Sequence, residues 1–381
     1  MSAARNGEHA AKPQERPFCV SPGKAPKSDM DARRMNHMNP TESGKRRRAL
    51  ITGLTGFTGR HMAARLLEEG YDVWGTVSPV SDIFVPGATG VPVDLLDLDA
   101  VRACVADAQP DVVVHLAGLA HVSGNPPDRS YLVNIMGSRN LLEALAGLDQ
   151  RPRAVLFAST SNVYGNADVG VIDESVPVRP GNDYAVSKLA MEHMAHLWLD
   201  RLPVFFTRPF NYTGVGQSEE YLLPKIVGHH ARHARRISLG NLNVSRDFSD
   251  VRNVVDVYAR LLELAPAGEV FNICSGTGHS LGELLGMLER IAGYKIDVFV
   301  DPRFMRHNEI AKLVGSNQKL RRAIGRVPIT PIHETLEWMF RHARAEFERQ
   351  TIETLTTLRA SPLQPTPAKT GAGNKPLQSI R

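Results

Sequence analysis

Tyr184 and Lys188 stand four residues apart in a stretch that reads as helix, which puts both side chains on one face. A phenol beside an ammonium is a proton-transfer pair. The positive charge favours the phenolate and is expected to lower the tyrosine toward the working pH. A third donor to hold a carbonyl oxygen is available in Ser159, Thr160 and Ser161, which follow the apolar strand Ala154–Ala158, and Thr160 takes that role here. A Tyr-x-x-x-Lys spacing arises often by chance. What gives it meaning is the earlier segment LITGLTGFTG at 50–59, a strand that runs into Gly53, Gly56 and Gly59 and then into an amphipathic helix. Such a turn leaves backbone N–H groups free at the positive end of a helix, and both favour a diphosphate. Gly53 permits the tight turn, Gly56 lets backbone approach a ligand, and Gly59 lets helix and strand pack closely. An ordinary loop needing positive φ has the same glycines, but not the strand before and the helix after.

These residues predict a dinucleotide site with Phe57 and Thr58 inside the turn. Enzymes that use NAD usually place an acid at the end of the second strand for the ribose 2′-hydroxyl. Here that stretch is Gly75-Thr76-Val77-Ser78-Pro79, without one. Ser78 suits a 2′-phosphate, which favours NADP. NAD stays open, because only Arg60, a remote candidate, offers a guanidinium. Asp94 and Leu95, after the third strand, are expected to cap the adenine. Leu116, Ala117 and Gly118, ending the fourth, should pass under the pyrophosphate and the nicotinamide ribose. The predicted reaction moves hydride from C4 of a dihydronicotinamide to a ketone carbon. Tyr184 gives the proton, Lys188 holds Tyr184 and the ribose, and Thr160 bonds the oxygen.

The elements that must position these groups alternate. Strands are expected at Leu50–Thr52, Tyr71–Val77, Val91–Val93, Asp111–Leu116, Ala154–Ala158 and Val204–Arg208. Helices are expected at Gly59–Glu69, Leu98–Ala108, Ser130–Leu148 and Tyr184–Leu199. That order predicts an α/β fold, a doubly wound parallel Rossmann sheet. Beyond residue 210 loops alternate with helices near Leu222–Ala234, Val254–Leu264 and Leu281–Ile291. This predicts a smaller, interleaved C-terminal substrate domain over the carboxyl ends of the strands. The expected division is a disordered basic extension at 1–46, a cofactor domain at 47–210, a mainly substrate domain at 211–345 that returns segments to the sheet, and a flexible tail at 346–381. Met35 and Met38 offer alternative starts.

The net charge of +5 is uneven: residues 1–48 carry +6 and residues 351–381 carry +3, leaving −4 for the body. The basic balance therefore belongs to the ends, and a nucleic-acid-binding body is excluded. The run Lys45-Arg46-Arg47-Arg48 reads as a solvated lead-in to the first strand. Cys19, Cys104 and Cys274 have neither metal-ligand nor Cys-x-x-Cys spacing, so no metal site and a reduced, cytoplasmic setting are expected. No apolar run approaches the ~18 residues of a membrane span, and no secretory h-region is evident.

The chain resembles the extended short-chain dehydrogenase/reductases that act on nucleotide sugars, over about residues 47–342. The resemblance rests on ALITGLTGFTG, VVVHLAG, LVNIMGSRNLLEAL with Asn134, STSNVYG, YAVSKLAMEH, RPFNYTGVGQ, GNLNVSRDFSDVRNVVDVY, EVFNICSG and LVGSNQKL. Within that family it is nearest the GDP-4-keto-6-deoxyhexose reductases, with the 4,6-dehydratases as neighbours. The resemblance implies that Asn134 belongs to the cofactor site, and that Asn211 and Arg246 contact the nucleotide diphosphate. It also implies that Arg306 and Glu309 hold the guanosine side, that Ser123 and His121 lie near the hexose, and that the helices of Asn134 and Tyr184 pair in a homodimer. The implied substrate is a GDP-4-keto-6-deoxyhexose. The dehydratases carry a glutamate base where this chain has Asn162, and an amide cannot take that proton. Two further departures are Asn211-Tyr212-Thr213-Gly214-Val215-Gly216-Gln217, against the usual Asn-His-x-Gly-Pro-Gly-Gln, and Arg306-His307-Asn308-Glu309, against Arg-Pro-x-Glu. A 4,6-dehydratase or 4-epimerase is the enzymatic alternative, and a non-catalytic NADP-binding sensor is the other. Such a sensor is expected to lack Tyr184 or Lys188.

Overall fold

The computed structural model describes residues 46–119, 127–167, 169–242, 244–304 and 312–360. Its amino-terminal part alternates β1 (Arg48–Thr52), α1 (Phe57–Glu68), β2 (Asp72–Val77), β3 (Ala88–Pro92), α2 (Leu98–Ala108), β4 (Val112–His115), α3 (Pro127–Tyr131), α4 (Ser138–Ala146), β5 (Ala154–Ala158), α5 (Asp183–His196) and β6 (Val204–Pro209). Short polar side chains start several of the helices. Asp97 accepts from the N–H groups of Asp99 and Ala100 at the head of α2, and Asn182 accepts from Ala185 N–H at the head of α5. β4 is Val-Val-Val-His and buried along its whole length, as expected of a parallel strand covered on both faces.

The remainder supplies β7 (Asn211–Thr213), α6 (Leu222–Ala231), β8 (Arg236–Leu239), β9 (Ser245–Asp250), α7 (Val251–Leu264), β10 (Val270–Ile273), β11 (Gly278–Ser280), α8 (Leu281–Ala292), β12 (Asp297–Val300), β13 (Lys312–Leu313), α9 (Gln318–Ile324) and α10 (Ile332–Ala360). The main sheet has seven strands in the order β10-β6-β5-β4-β1-β2-β3, all parallel. Strand order reverses between β1 and β4, and a crevice opens there at the carboxyl ends. β9 is flanked by β11 and β13 and also pairs with β7, while β8 pairs with β12. One apolar layer packs α1 and α7 against the sheet around Ile51, Leu156 and Phe205. The opposite layer packs α2, α4 and α5 around Leu50, Val113 and Phe157. A third cluster joins α6, α8 and α10 through Ile226, Leu284 and Leu336.

Besides the strands β7 to β13, which are not among the expected strands, two segments differ from the sequence expectation. The single helix expected over 130–148 is broken: a π-helical turn, Leu132–Gly137, separates α3 from α4. Ser138 Oγ donates to Asn134 O at 2.7 Å, so a side chain has entered the helical ladder there. The expected flexible tail at 346–381 is also corrected over its first part, because α10 continues to Ala360. Its exposed turns are held by ion pairs such as Arg344–Glu348, three to four residues apart, which composition in Pro and Thr further along the chain obscured.

Candidate active site

The glycine turn is a close-packed cradle. Gly53 has φ +74°, and a Cβ there would meet the backbone of Ala117 at 3.0 Å. At Gly59 a Cβ would lie 2.2 Å from Gly53 O and 2.7 Å from Leu54 O, so no side chain fits without moving backbone. Gly56 is the N-cap of α1 and supplies no side-chain cap. The first-turn N–H groups of α1 therefore face the cleft as donors for an anion. Shape and donor set together fit the pyrophosphate of a dinucleotide. Phe57 and Thr58 line the same cleft, and Thr58 Oγ1 lies 2.8 Å from Tyr212 OH.

A second group of polar side chains fixes the end of β4. His115 is fully buried, with Nδ1 2.7 Å from Thr52 Oγ1 and Nε2 2.8 Å from Ser138 Oγ. Ser138 spends its one hydrogen on Asn134 O, so it accepts from His115 Nε2–H. Nδ1 is then the acceptor, taking the hydrogen of Thr52, whose oxygen in turn accepts from Ala117 N–H at 3.2 Å. The imidazole in this string is neutral. Burial, with the positive Lys188 nearby, pushes the His115 pKa down to about 3. The string runs from Ala117 to the π turn, which aims Asn134. Asn134 Oδ1 accepts from Leu119 N–H at 3.0 Å and its Nδ2 donates to Ser187 Oγ at 2.9 Å. Gly118 leaves room for this: a Cβ there would be 2.9 Å from Asn134 Oδ1 and 3.3 Å from Lys188 Nζ.

Tyr184, Lys188 and Thr160 all line the cleft. Thr160 Oγ1 accepts from Asn162 N–H at 3.2 Å, and its hydroxyl stands near enough to Tyr184 to favour the phenolate. Lys188 is buried and donates to Ala158 O at 2.7 Å, which ties α5 to the end of β5. The expected lowering of the phenol is corrected. Burial, more than any other influence, holds the Tyr184 pKa above its ordinary value, with Tyr212 adding to the rise and Thr160 opposing it. Burial also lowers Lys188, to about 8, against the opposing charge of Glu192. Below that pH the pair is a neutral phenol and an ammonium.

Glu192, one turn beyond Lys188, was not singled out from sequence. Its carboxylate accepts from Arg208 Nε at 3.0 Å and NH2 at 2.6 Å, and Arg208 NH1 also donates to Tyr164 OH at 3.1 Å. Tyr164 OH donates to Asn272 Oδ1 at 2.8 Å. These buried groups come from α5, β6, the turn after β5 and β10. The one local hint was an arginine at the end of an otherwise apolar strand.

The whole cleft, glycine cradle and substrate side together, has a volume of about 1300 Å³. Asn211 and Arg246 both line it, as do Asn162, Arg179 and Tyr221. Asn211 Nδ2 donates to Asp247 O at 3.4 Å, and Arg246 NH1 donates to Ser245 O at 3.0 Å. Ser123, His121, Arg306 and Glu309 lie outside the described residues. Ser78 is exposed just past β2, while Asp94 Oδ1 accepts from Leu96 N–H at 3.0 Å and Leu95 is buried beside Gly137. Among the described residues, those three are not part of the cleft lining.

A family model described as GDP-mannose 4,6 dehydratase matches residues 50–339. GDP-6-deoxy-D-talose 4-dehydrogenase of Aggregatibacter actinomycetemcomitans is 32% identical over 300 residues, covering 78% of this chain and 98% of that one. GDP-6-deoxy-D-mannose reductase of Pseudomonas aeruginosa is 34% identical over 301 residues, covering 76% and 94%. Among solved structures, a Burkholderia cenocepacia J2315 protein classed provisionally as an epimerase is 62% identical with a TM-score of 0.75, covering 78% and 98%. The Pseudomonas aeruginosa protein RMD, complexed with NADPH, is 31% identical with a TM-score of 0.67, covering 78% and 99%.

Proposed function

We propose that this chain, which belongs to the GDP-mannose 4,6 dehydratase family of extended short-chain dehydrogenase/reductases, is an NAD(P)-dependent enzyme that reduces the 4-keto group of a GDP-4-keto-6-deoxyhexose. One observation carries the proposal: Tyr184, one helical turn from Lys188, shares a cleft with Thr160 and the glycine cradle, and the amide of Asn162 lines the same cleft. When bound, a dihydronicotinamide supplies the hydride. The residues of the chain supply the rest. A phenol kept neutral by burial is a proton donor across the neutral range, and Tyr184 gives its proton to the carbonyl oxygen as charge builds on it. Thr160 donates to the same oxygen. Lys188 spends one of its three N–H bonds on Ala158 O, which leaves two for the phenol and the ribose hydroxyls. The product is an alcohol, of GDP-D-rhamnose or 6-deoxytalose type, with one dinucleotide oxidised per turnover.

Gly53, Gly56, Phe57, Thr58 and Gly59 are assigned to the pyrophosphate, and Leu116, Ala117, Gly118 and Asn134 to the nicotinamide ribose side. Asn211 and Arg246 suit a sugar diphosphate, since a guanidinium matches phosphate oxygens in a fork. Ser78 is assigned to the 2′-phosphate and Asp94 with Leu95 to the adenine end. NADP is favoured in line with RMD, which was solved with NADPH. We further assign residues 47–210 to the cofactor and 211–345 mainly to the nucleotide sugar.

Pairing of two copies through the helices of Asn134 and Tyr184 is supported by the exposed Leu132, Met136, Val186 and Leu197. A reduced, cytoplasmic setting is supported by the buried free thiols of Cys104 and Cys274. No helix among the described residues is long and apolar enough to cross a membrane.

Dehydration is disfavoured because Asn162 cannot act as a base at the hexose. The 62% identity to a protein provisionally classed as an epimerase keeps 4-epimerisation as the second reading. Incubation with GDP-4-keto-6-deoxymannose and NADPH separates them. A reductase oxidises one NADPH per alcohol formed, and NMR identifies the sugar. An epimerase interconverts GDP- or UDP-hexoses with no net consumption. NADPH that stays reduced with every 4-keto nucleotide sugar offered would remove the reductase reading.

A further inference from the structure

We propose that Tyr212 is a positioning residue for the coenzyme: it stands on the substrate-side strand β7, and its hydroxyl aims the hydroxyl of Thr58 at the pyrophosphate. This rests on the dinucleotide reading of the glycine turn, and not on the identity of the sugar. Tyr212 OH and Thr58 Oγ1 are 2.8 Å apart, and the Tyr212 ring lies nearly parallel to Phe57, with centroids 6.0 Å apart and planes inclined by 15°. Both rings line the cleft.

The tyrosine cannot easily retreat. Arg60 NH2 donates to Gly216 O at 2.8 Å, and His61 Nε2 lies 2.9 Å from Val215 O. Burial lowers the His61 pKa, and the carbonyl requires a ring N–H, so the neutral Nε2–H form serves. Gln217 closes the loop on itself, donating to Tyr212 O at 3.2 Å and accepting from Thr213 Oγ1 at 2.7 Å. The segment 212–217 is therefore tied to the first turns of α1.

Valence then sets a direction. Without an anion, either hydroxyl can be the donor in the Tyr212–Thr58 bond. A phosphate oxygen at the N-terminus of α1 only accepts. Thr58 has one hydrogen, which goes to the phosphate, so Tyr212 must donate to Thr58 Oγ1. A hydroxyl that accepts one hydrogen bond is a stronger donor in the next.

The test is dinucleotide binding without any sugar, read by the fluorescence of NADPH, or of NADH should that bind more tightly. Tyr212→Phe is expected to bind about three- to tenfold more weakly, the range for one net hydrogen bond. Thr58→Val also weakens binding, Thr58→Ser retains it, and Tyr212→Phe adds no further loss to Thr58→Val. That non-additivity is what a general packing defect would not produce. Thermal midpoints taken alongside identify any variant that has lost its fold, in which case Thr58→Val against Thr58→Ser carries the comparison. Wild-type affinity in Tyr212→Phe, or losses that multiply in the double variant, would overturn the assignment. So would failure of the wild type to bind either dinucleotide. Binding that follows the cycle, with no turnover of 4-keto sugars, would sink the reductase reading and leave Tyr212 in place.

Discussion

Tyr184 is held as a neutral phenol, and its proton is what the reaction consumes. Tyr184→Phe is expected to lower kcat by about 10²- to 10⁴-fold, the usual worth of a positioned acid, while NADPH still binds. Steady-state rates with a 4-keto nucleotide sugar, set beside a fluorescence titration, check both halves. The opposite pattern is expected at Gly59. A methyl group there would overlap Gly53 O at 2.2 Å and Leu54 O at 2.7 Å, both of them backbone. Gly59→Ala should therefore lose dinucleotide binding together with turnover, even where circular dichroism reports a folded sheet. Both residues were legible in the sequence, since a tight turn and an i,i+4 pair are local patterns. The protonation state of Tyr184 was not, because it depends on how deeply the cleft wall buries the ring.

At the scale of elements, α5 carries the chemistry and β6 supports it. Lys188 protonates at about 8 in the folded protein and Glu192 opposes any further fall. The charged form exists below that value, so kcat/KM is expected to decline as pH rises through about 8. Glu192→Gln removes the opposing charge and should move this limb to lower pH. A pH profile whose limb stays in place in that variant would disconnect Glu192 from Lys188. The partner of Glu192 is equally exposed to test. Arg208→Met leaves a carboxylate buried without its guanidinium, and denaturant unfolding should report a loss of about 3–5 kcal/mol. The helix of Asn134 shows a second dependence between elements. Its π turn coincides with the Ser138–Asn134 bond, which belongs to a string that begins on β1 and crosses β4. A helical hydrophobic pattern over 130–148 contains no sign of it.

For the molecule as a whole, His115 links folding to acid. The folded chain keeps this imidazole neutral down to about 3, whereas an unfolded chain takes up the proton near 6.5. Below 6.5 the unfolded state binds more protons, so stability falls as pH falls, by up to about 1.4 kcal/mol per pH unit from this group. Between pH 6.5 and 5 that is about 2 kcal/mol. Urea unfolding at the two pH values should show this loss in the wild type, and a smaller one in His115→Gln, which has no imidazole to titrate. An equal acid loss in both proteins would show that other groups carry it.

The sequence by itself determined the order of strands β1 to β6 and the helices among them, the glycine turn, the Tyr184–Lys188 pair and hence the class of chemistry. Those features depend on short-range periodicity and on residues within a few positions of each other. The tertiary structure alone decided which distant groups meet. It joined Tyr212 to Thr58, and Arg208 to Glu192. It also set the tautomer of His115, and it extended α10 through residues where proline-rich composition nearby had suggested a loose tail. Burial and hydrogen-bond valence act between elements, and neither has a period that a linear pattern can display.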